Sequence, residues 1–172
     1  MVAIIDYDAG NVRSLQFALE RLGVASVLTA DPEVIQAAEK VIFPGQGAAA
    51  SAMKKLKQTG LDQLIPQLKQ PVLGICLGMQ LLCDTTEEGE VNGLGIIPGK
   101  VVRFSNKVKV PQMGWNTISN FQSPLFKQIK EAMIKSIYFE ILVDGFREKP
   151  FLIKSSLQGF EDALTEFEKQ KK

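Results

Sequence analysis

The chain has 172 residues, 45% hydrophobic and 23% charged, which is typical of one globular domain with a sizeable core. Its net charge of +1 does not favour nucleic acid or an anionic membrane surface as a partner. We expect a cytoplasmic protein, because the chain has two cysteines without a disulfide framework, no recognisable signal peptide and no apolar run of transmembrane length.

Short apolar runs alternate with helical patterns along the first half of the chain. The apolar runs predict strands at 2–5, 24–29, 41–43 and 71–75. Apolar residues at helical spacing predict helices at 12–22, 32–39, 48–57 and 77–84. Repeated βαβ alternation requires parallel pairing with right-handed crossovers. The sequence therefore predicts an α/β fold, with a three-layer, doubly wound and mainly parallel sheet.

The second half of the chain has a different composition. Glycines, prolines and short β-like runs over 93–118 predict a β-hairpin region at one edge of the sheet. Further strands are predicted at 137–143 and 151–153, and the apolar spacing over 159–172 predicts a C-terminal helix. We expect residues 1–172 to form a single domain.

The segment Gly74-Ile75-Cys76-Leu77-Gly78 has the spacing of a nucleophile elbow, a sharp turn from a strand into a helix. Such a turn would hold the Cys76 thiol at the carboxyl edge of the sheet. There the helix N-terminus favours the thiolate, and the Leu77 N–H can point at an oxyanion. The alternative is a buried cysteine at a tight turn. Cys83 falls in the predicted helix, where we expect a core position.

Five segments of the chain resemble class I glutamine amidotransferases, specifically the glutaminase subunits of imidazole glycerol phosphate synthase. They are Asp6 to Asn11, Phe43 to Gly47, Gly74 to Leu82, Glu87 to Gly89 and Val110 to Asn116. The segments follow the family's order and cover about residues 1–139. The resemblance implies a three-layer α/β amidotransferase fold and a role in histidine biosynthesis.

The resemblance also implies the roles of individual residues. Cys76 would attack the side-chain amide of glutamine, releasing ammonia and leaving a glutamyl thioester. Leu77, with Gly45 and Gly47, would supply the oxyanion hole, while Gln80 and Glu88 would hold the substrate. No cofactor or metal is implied.

In this family the ammonia passes to a (β/α)8-barrel synthase subunit. The residues that match the partner-facing segments are Asn11, Gln112, Trp115 and Asn116. Trp115 is the only tryptophan, a residue type that often anchors interfaces and often simply fills a core.

Departures from the family pattern concern the acid–base machinery. The family completes its triad with a His-Pro-Glu segment near the C-terminus, whereas this chain contains no histidine and shows no family pattern after Phe139. Gln112 stands where the family usually has histidine, and Gln46 replaces a small apolar residue. A carboxylate could act instead of the histidine, and the candidates are Glu140, Asp144, Glu148 and Glu161.

Three interpretations follow from this combination. The chain is an amidotransferase-like protein with an incomplete triad and little or no activity, or a non-catalytic module that binds the barrel. The third interpretation is an engineered or chimeric scaffold, in which residues 1–139 are amidotransferase-like and 140–172 are divergent or replaced.

Overall fold

The computed structural model describes residues 1–8 and 12–103 in full, together with the backbone of the strands at 113–119, 131–137, 140–143 and 152–154. The predicted C-terminal helix, 159–172, lies outside the described residues.

A five-stranded parallel sheet forms the centre of the fold. Its strands are β1 (Val2–Ile5), β2 (Ser26–Thr29), β3 (Lys40–Phe43), β4 (Val72–Ile75) and β11 (Leu152–Lys154). They pair in the order β11-β4-β3-β1-β2. Because β1 and β3 are buried on both faces, β1 is a continuous apolar run, and β3 is apolar after its first residue, the buried Lys40. The predicted parallel sheet is confirmed.

Helices connect the parallel strands. They are α1 (Val12–Arg21), α2 (Pro32–Ala37), α3 (Ala49–Thr59), α4 (Leu61–Leu64), a 3₁₀ turn (Ile65–Gln67) and α5 (Leu77–Leu82). Alternate residues of β1 enter two different cores. Ile4 packs with Leu15 and Leu19 of α1, whereas Ile5 belongs to the core that includes Leu56 of α3. Two cores on opposite faces of one sheet give the predicted three layers.

Helix α2 begins as its sequence predicts. The carboxylate of Asp31 accepts a hydrogen bond from the Glu33 backbone N–H (2.9 Å), and Pro32 occupies the first turn, where a missing N–H costs nothing.

A second, mixed sheet follows α5. Its strands are β5 (Cys83–Thr86), β6 (Val91–Asn92), β7 (Ile97–Val102) and β10 (Glu140–Val143). They pair in the order β10-β7-β5-β6. Strands β8 (Met113–Ser119) and β9 (Glu131–Ile137) form an antiparallel ribbon. The region predicted to form hairpins, 93–118, thus contains strands β7 and β8, but β7 pairs with β5 and β10 in the second sheet and β8 pairs with β9, so neither extends the edge of the first sheet.

The helix predicted to run to residue 84 is shorter in the structure. It ends at Leu82, and Cys83 takes an extended backbone (φ −76°, ψ 174°) that enters β5. The physical reason is local, because Asp84, Thr85 and Thr86 disfavour a helix and the β-branched threonines favour a strand. Cys83 is fully buried, so the predicted core position is confirmed in a strand instead of a helix.

Candidate active site around Cys76

Cys76 lies at the carboxyl end of β4, where the chain turns into α5. Its backbone has φ 51° and ψ −116°, a conformation that non-glycine residues rarely adopt. Such strain persists only where the surrounding structure enforces it, and it is common at functional sites. The side chain is half-buried. The structure therefore confirms the geometry of a strand-to-helix elbow with the thiol at the carboxyl edge of the sheet.

The two glycines of the elbow are required by close packing. A Cβ atom at Gly74 would lie 2.8 Å from the Met79 Cα, and a Cβ atom at Gly78 would lie 2.1 Å from the Phe43 carbonyl oxygen. These are backbone atoms that cannot swing away, so the elbow accepts no side chain at either position. The spacing in the sequence reflects this steric requirement.

Gly45, in the segment that follows β3, packs against the same turn. A Cβ at Gly45 would lie 2.2 Å from the Gly78 nitrogen and 2.6 Å from the Leu77 nitrogen. Two residues predicted for the oxyanion hole, Gly45 and Leu77, are therefore brought side by side. Gly47 has φ 102°, which favours glycine, and it is exposed like its neighbour Gln46.

The surroundings of Cys76 disfavour the thiolate. Burial raises the pKa of the Cys76 thiol, a hydrogen bond from the Leu77 backbone N–H lowers that pKa, and the Glu88 carboxylate raises it further, with a net upward shift. The Leu77 N–H at the helix start favours the thiolate, as expected, but desolvation outweighs this one backbone hydrogen bond, so the net shift of the Cys76 pKa is upward.

The two predicted substrate-binding residues are joined by a third side chain. Gln80 is 1% exposed, and its Oε1 accepts a hydrogen bond from the Thr86 hydroxyl at 3.2 Å. The Thr86 Oγ1 in turn accepts a hydrogen bond from the Glu88 backbone N–H at 3.1 Å. The structure therefore places Gln80 and Glu88 in one hydrogen-bonded network, and Glu88 is close enough to Cys76 to influence its charge.

Tyr7 belongs to the site although the sequence predicts no role for it. It follows β1, and its hydroxyl donates to the Pro44 carbonyl oxygen at 2.5 Å. Its ring meets the Phe43 ring edge-on, with centroids 5.3 Å apart. Burial raises the pKa of the Tyr7 phenol, and the nearby Cys76 raises it further. The signal in the sequence was a tyrosine placed just after a central strand. A tyrosine that is buried there needs a hydrogen-bond partner for its hydroxyl at that sheet edge.

The structure leaves the predicted partner interface largely untested. Asn11 and Gln112 lie outside the described residues. Trp115 and Asn116 lie on β8, where they pair with Lys135 and Ile134 of β9.

Among the alternative bases, only Glu140 lies within the described residues. It lies on β10 and pairs with Val102 of β7.

No metal-binding cluster of three or more histidine, cysteine or acidic side chains occurs among the residues that the structure describes. In the same part of the chain, every helix is too short or too polar to cross a bilayer.

The family model for class I glutamine amidotransferases matches residues 3–164 of the chain. The match continues past residue 139, the predicted end of the resemblance.

Similar proteins carry the name imidazole glycerol phosphate synthase subunit HisH. The one from Bacteroides fragilis is 57% identical over 129 residues, covering 73% of this chain and 66% of the relative. The one from Bacteroides thetaiotaomicron is 54% identical over 141 residues, covering 80% and 71%. The one from Oceanobacillus iheyensis is 44% identical over 160 residues, covering 90% and 80%. The chain thus spans just under two thirds of the length of the B. fragilis relative.

Solved structures share the fold at low sequence identity. A glutamine amidotransferase superimposes with a TM-score of 0.67 at 16% identity, covering 96% of this chain and 93% of that one. A protein from Thermoplasma acidophilum, described as one of the subunits of a GMP synthase, gives 0.63 at 17% identity, covering 99% and 97%. The family match over 3–164 and the relatives at 44–57% identity show that the chain belongs to the class I glutamine amidotransferase family.

Proposed function

We propose that this chain is the glutaminase-type subunit of an imidazole glycerol phosphate synthase, with a glutamine pocket at Cys76 and an incomplete catalytic triad. The observation that carries the proposal is the cysteine elbow, with buried Gln80 and half-buried Glu88 in one network beside it. The HisH name of relatives 44–57% identical to this chain supports the same assignment.

The proposed reaction begins with glutamine in the pocket, held by Gln80 and Glu88. The Cys76 thiolate attacks the side-chain amide carbon, and backbone N–H groups of Leu77 and the Gly45 to Gly47 segment stabilise the oxyanion. The C–N bond then breaks, the nitrogen leaves with an added proton as ammonia, and a glutamyl thioester remains. Water hydrolyses the thioester to glutamate and regenerates the thiol.

Proton transfer is the weak step of this scheme. The 172 residues contain no histidine, and the pKa of the Cys76 thiol is raised, so little thiolate is present at neutral pH. A carboxylate base lies about four pKa units below a thiol, which makes proton transfer uphill by roughly 5–6 kcal/mol. Loss of the base in a comparable serine protease triad costs on the order of 10⁶ in rate. We therefore infer a glutaminase that is inactive or strongly impaired.

We assign the missing catalytic base to the segment 140–172. We infer that this segment is divergent or replaced within a single domain. Its strand β11 pairs in parallel with β4, and Lys154 lies opposite Ile75, one residue before the nucleophile. The carboxyl end of β11 is therefore next to the elbow, where a base could act on Cys76. The family match that continues to residue 164 favours divergence over replacement by a foreign segment.

The glutaminase proposal is tested by incubating the full chain with L-glutamine and measuring ammonia. Cys76→Ala is the control, since it removes the proposed nucleophile. We expect release no faster than that of Cys76→Ala. A robust rate that depends on Cys76 would refute the impaired triad, and it would show that another residue acts as the base.

A non-catalytic role is the second candidate, and it is favoured by the absence of any histidine from the 172 residues. In this version the chain docks on a (β/α)8-barrel synthase subunit through Asn11, Gln112, Trp115 and Asn116. Calorimetry against the barrel from the same source should then give binding that Trp115→Ala weakens. Absence of binding by the unmodified chain would argue against docking.

A further inference from the structure

Thr86 occupies the junction of the proposed glutamine pocket, and neither the sequence motifs nor the comparisons assign it a role. It is 2% exposed and lies at the end of β5. Its hydroxyl makes two hydrogen bonds, one from the Glu88 backbone N–H and one to the Gln80 Oε1. Both contacts involve residues proposed to hold the substrate.

The protons of this network fix the orientation of the Gln80 amide. A threonine hydroxyl has one proton to donate and two lone pairs that accept. Because Thr86 already accepts from the Glu88 N–H, its own proton requires an acceptor, and that acceptor is the Gln80 carbonyl oxygen. The amide nitrogen of Gln80 must then point away from Thr86. Rotating the amide by 180° would leave the threonine proton without a partner in a buried site.

The orientation determines what the pocket can bind. Within residues 1–8 and 12–103, the amide nitrogen of Gln80 makes no hydrogen bond to protein, so its two protons are available to a ligand with acceptor oxygens. The bond to the Glu88 N–H holds the turn after β5, which keeps the Glu88 carboxylate near Cys76. An amide donor and a carboxylate on residues joined by one hydrogen-bonded network suit an amino acid, which carries carbonyl oxygens and an ammonium group.

We propose that Thr86 is a positioning residue of the glutamine pocket. Its hydroxyl orients the Gln80 amide so that the NH₂ group donates to an oxygen of bound L-glutamine, and it holds Glu88 in place for the ammonium group. This inference rests on the proposed function, because it presupposes that the pocket takes glutamine.

The experiment is calorimetry of L-glutamine binding to the full chain and three variants, with thermal unfolding of each. Thr86→Val removes the hydroxyl at nearly constant volume, and Thr86→Ser restores it. Thr85→Val makes the same change one residue earlier, on the opposite face of β5. We expect Thr86→Val to weaken binding about tenfold or more, because it leaves the buried Gln80 carbonyl without its donor. Thr86→Ser and Thr85→Val should remain within about threefold of the unmodified chain.

The outcomes separate the role of Thr86 from glutamine binding itself. Equal binding by Thr86→Val and the unmodified chain would overturn the role of Thr86 and leave the glutamine pocket intact. Equal losses in Thr86→Val and Thr86→Ser would also overturn it, since the hydroxyl would then not be the active feature. No glutamine binding by the unmodified, folded chain would overturn the proposed function and this inference with it.

Discussion

Cys76 and Cys83 lie at the two ends of the same short helix, α5, and they differ in backbone and surroundings. Cys76 precedes the helix with a strained φ of 51°, is half-buried, and lies close to Glu88 and Tyr7. Cys83 follows the helix with extended backbone, is 0% exposed, and its thiol donates weakly to the Met79 carbonyl at 3.8 Å.

The difference shows that backbone position, more than residue type, separates a candidate nucleophile from a core residue. The Cys76 turn is enforced by close contacts across the carboxyl edge of the sheet, which hold the half-buried thiol at that edge. Cys83 lies in a strand that buries its side chain among apolar neighbours. Four measurements test this difference between the two cysteines.

The largest effect is expected at the packing contact that shapes the elbow. Gly78→Ala would place a Cβ 2.1 Å from the Phe43 carbonyl oxygen, so we expect a loss of about 3–5 kcal/mol in the free energy of unfolding. Gly60→Ala is the matched control. Gly60 has φ 72° but open space around it, so only backbone strain of about 1 kcal/mol applies. Urea denaturation gives both values, and equal losses would contradict the steric account of the elbow.

Ionisation of the Cys83 thiol should lower the free energy of unfolding at alkaline pH. Burial raises the pKa of its thiol to about 11 from the ordinary value of 9.0, and nearby Asp84 adds to the shift. A raised folded-state pKa means that the unfolded state ionises first, so stability is intact below pH 9 and falls as the pH rises towards 11. The fall should reach about 2 kcal/mol near the upper limit.

Urea denaturation at pH 8 and pH 10.5 tests the origin of this loss. Cys83→Ala should lose less stability between the two conditions than the unmodified chain does, because it has no thiol to ionise at that position. An identical fall in both proteins would show that Cys83 is not responsible.

Glycine and alanine should have opposite effects at the two cysteines. At Cys76 the positive φ strains any side chain, so Cys76→Gly should be more stable than Cys76→Ala by about 1 kcal/mol. At Cys83 the backbone is extended, and Cys83→Gly should be less stable than Cys83→Ala by a similar amount. Thermal unfolding of the four variants measures both differences. A Cys76→Gly variant that is less stable than Cys76→Ala, as expected at Cys83, would mean that the elbow stores no strain.

The smallest effect concerns the Glu88 charge near Cys76. Glu88→Gln removes a carboxylate that raises the pKa of Cys76, so the thiolate fraction at pH 8 should increase. Alkylation of Cys76 by iodoacetamide, followed by mass spectrometry of the labelled peptide, should become a few-fold faster. Glu87→Gln serves as the control, because Glu87 accepts from the Arg103 backbone N–H instead. Unchanged or slower labelling in Glu88→Gln would remove Glu88 from the site.

The parallel sheet and the elbow were predictable because their signals are local. Apolar runs such as Val2–Ile5 mark buried parallel strands, and the spacing of Gly74, Cys76 and Gly78 marks a turn that tolerates no side chains at its glycines. The start of α2 was equally readable, since an acidic cap followed by proline is a local device. The end of α5 was not, because its apolar pattern continues to Cys83 while the chain already leaves the helix.

The family, the Gly74 to Gly78 elbow spacing and the absence of histidine from these 172 residues could all be read from residue identity and order. The electrostatics of the site depend on the folded chain. Burial and the approach of Glu88 raise the pKa of a thiol that the helix start alone would have made acidic. The tertiary structure also revealed Tyr7 and Thr86 as members of the site, because their hydrogen bonds depend on segments brought together by strand pairing and by the turn after β5. Charge and hydrogen-bond partners depend on distances in space, which spacing along the chain does not determine.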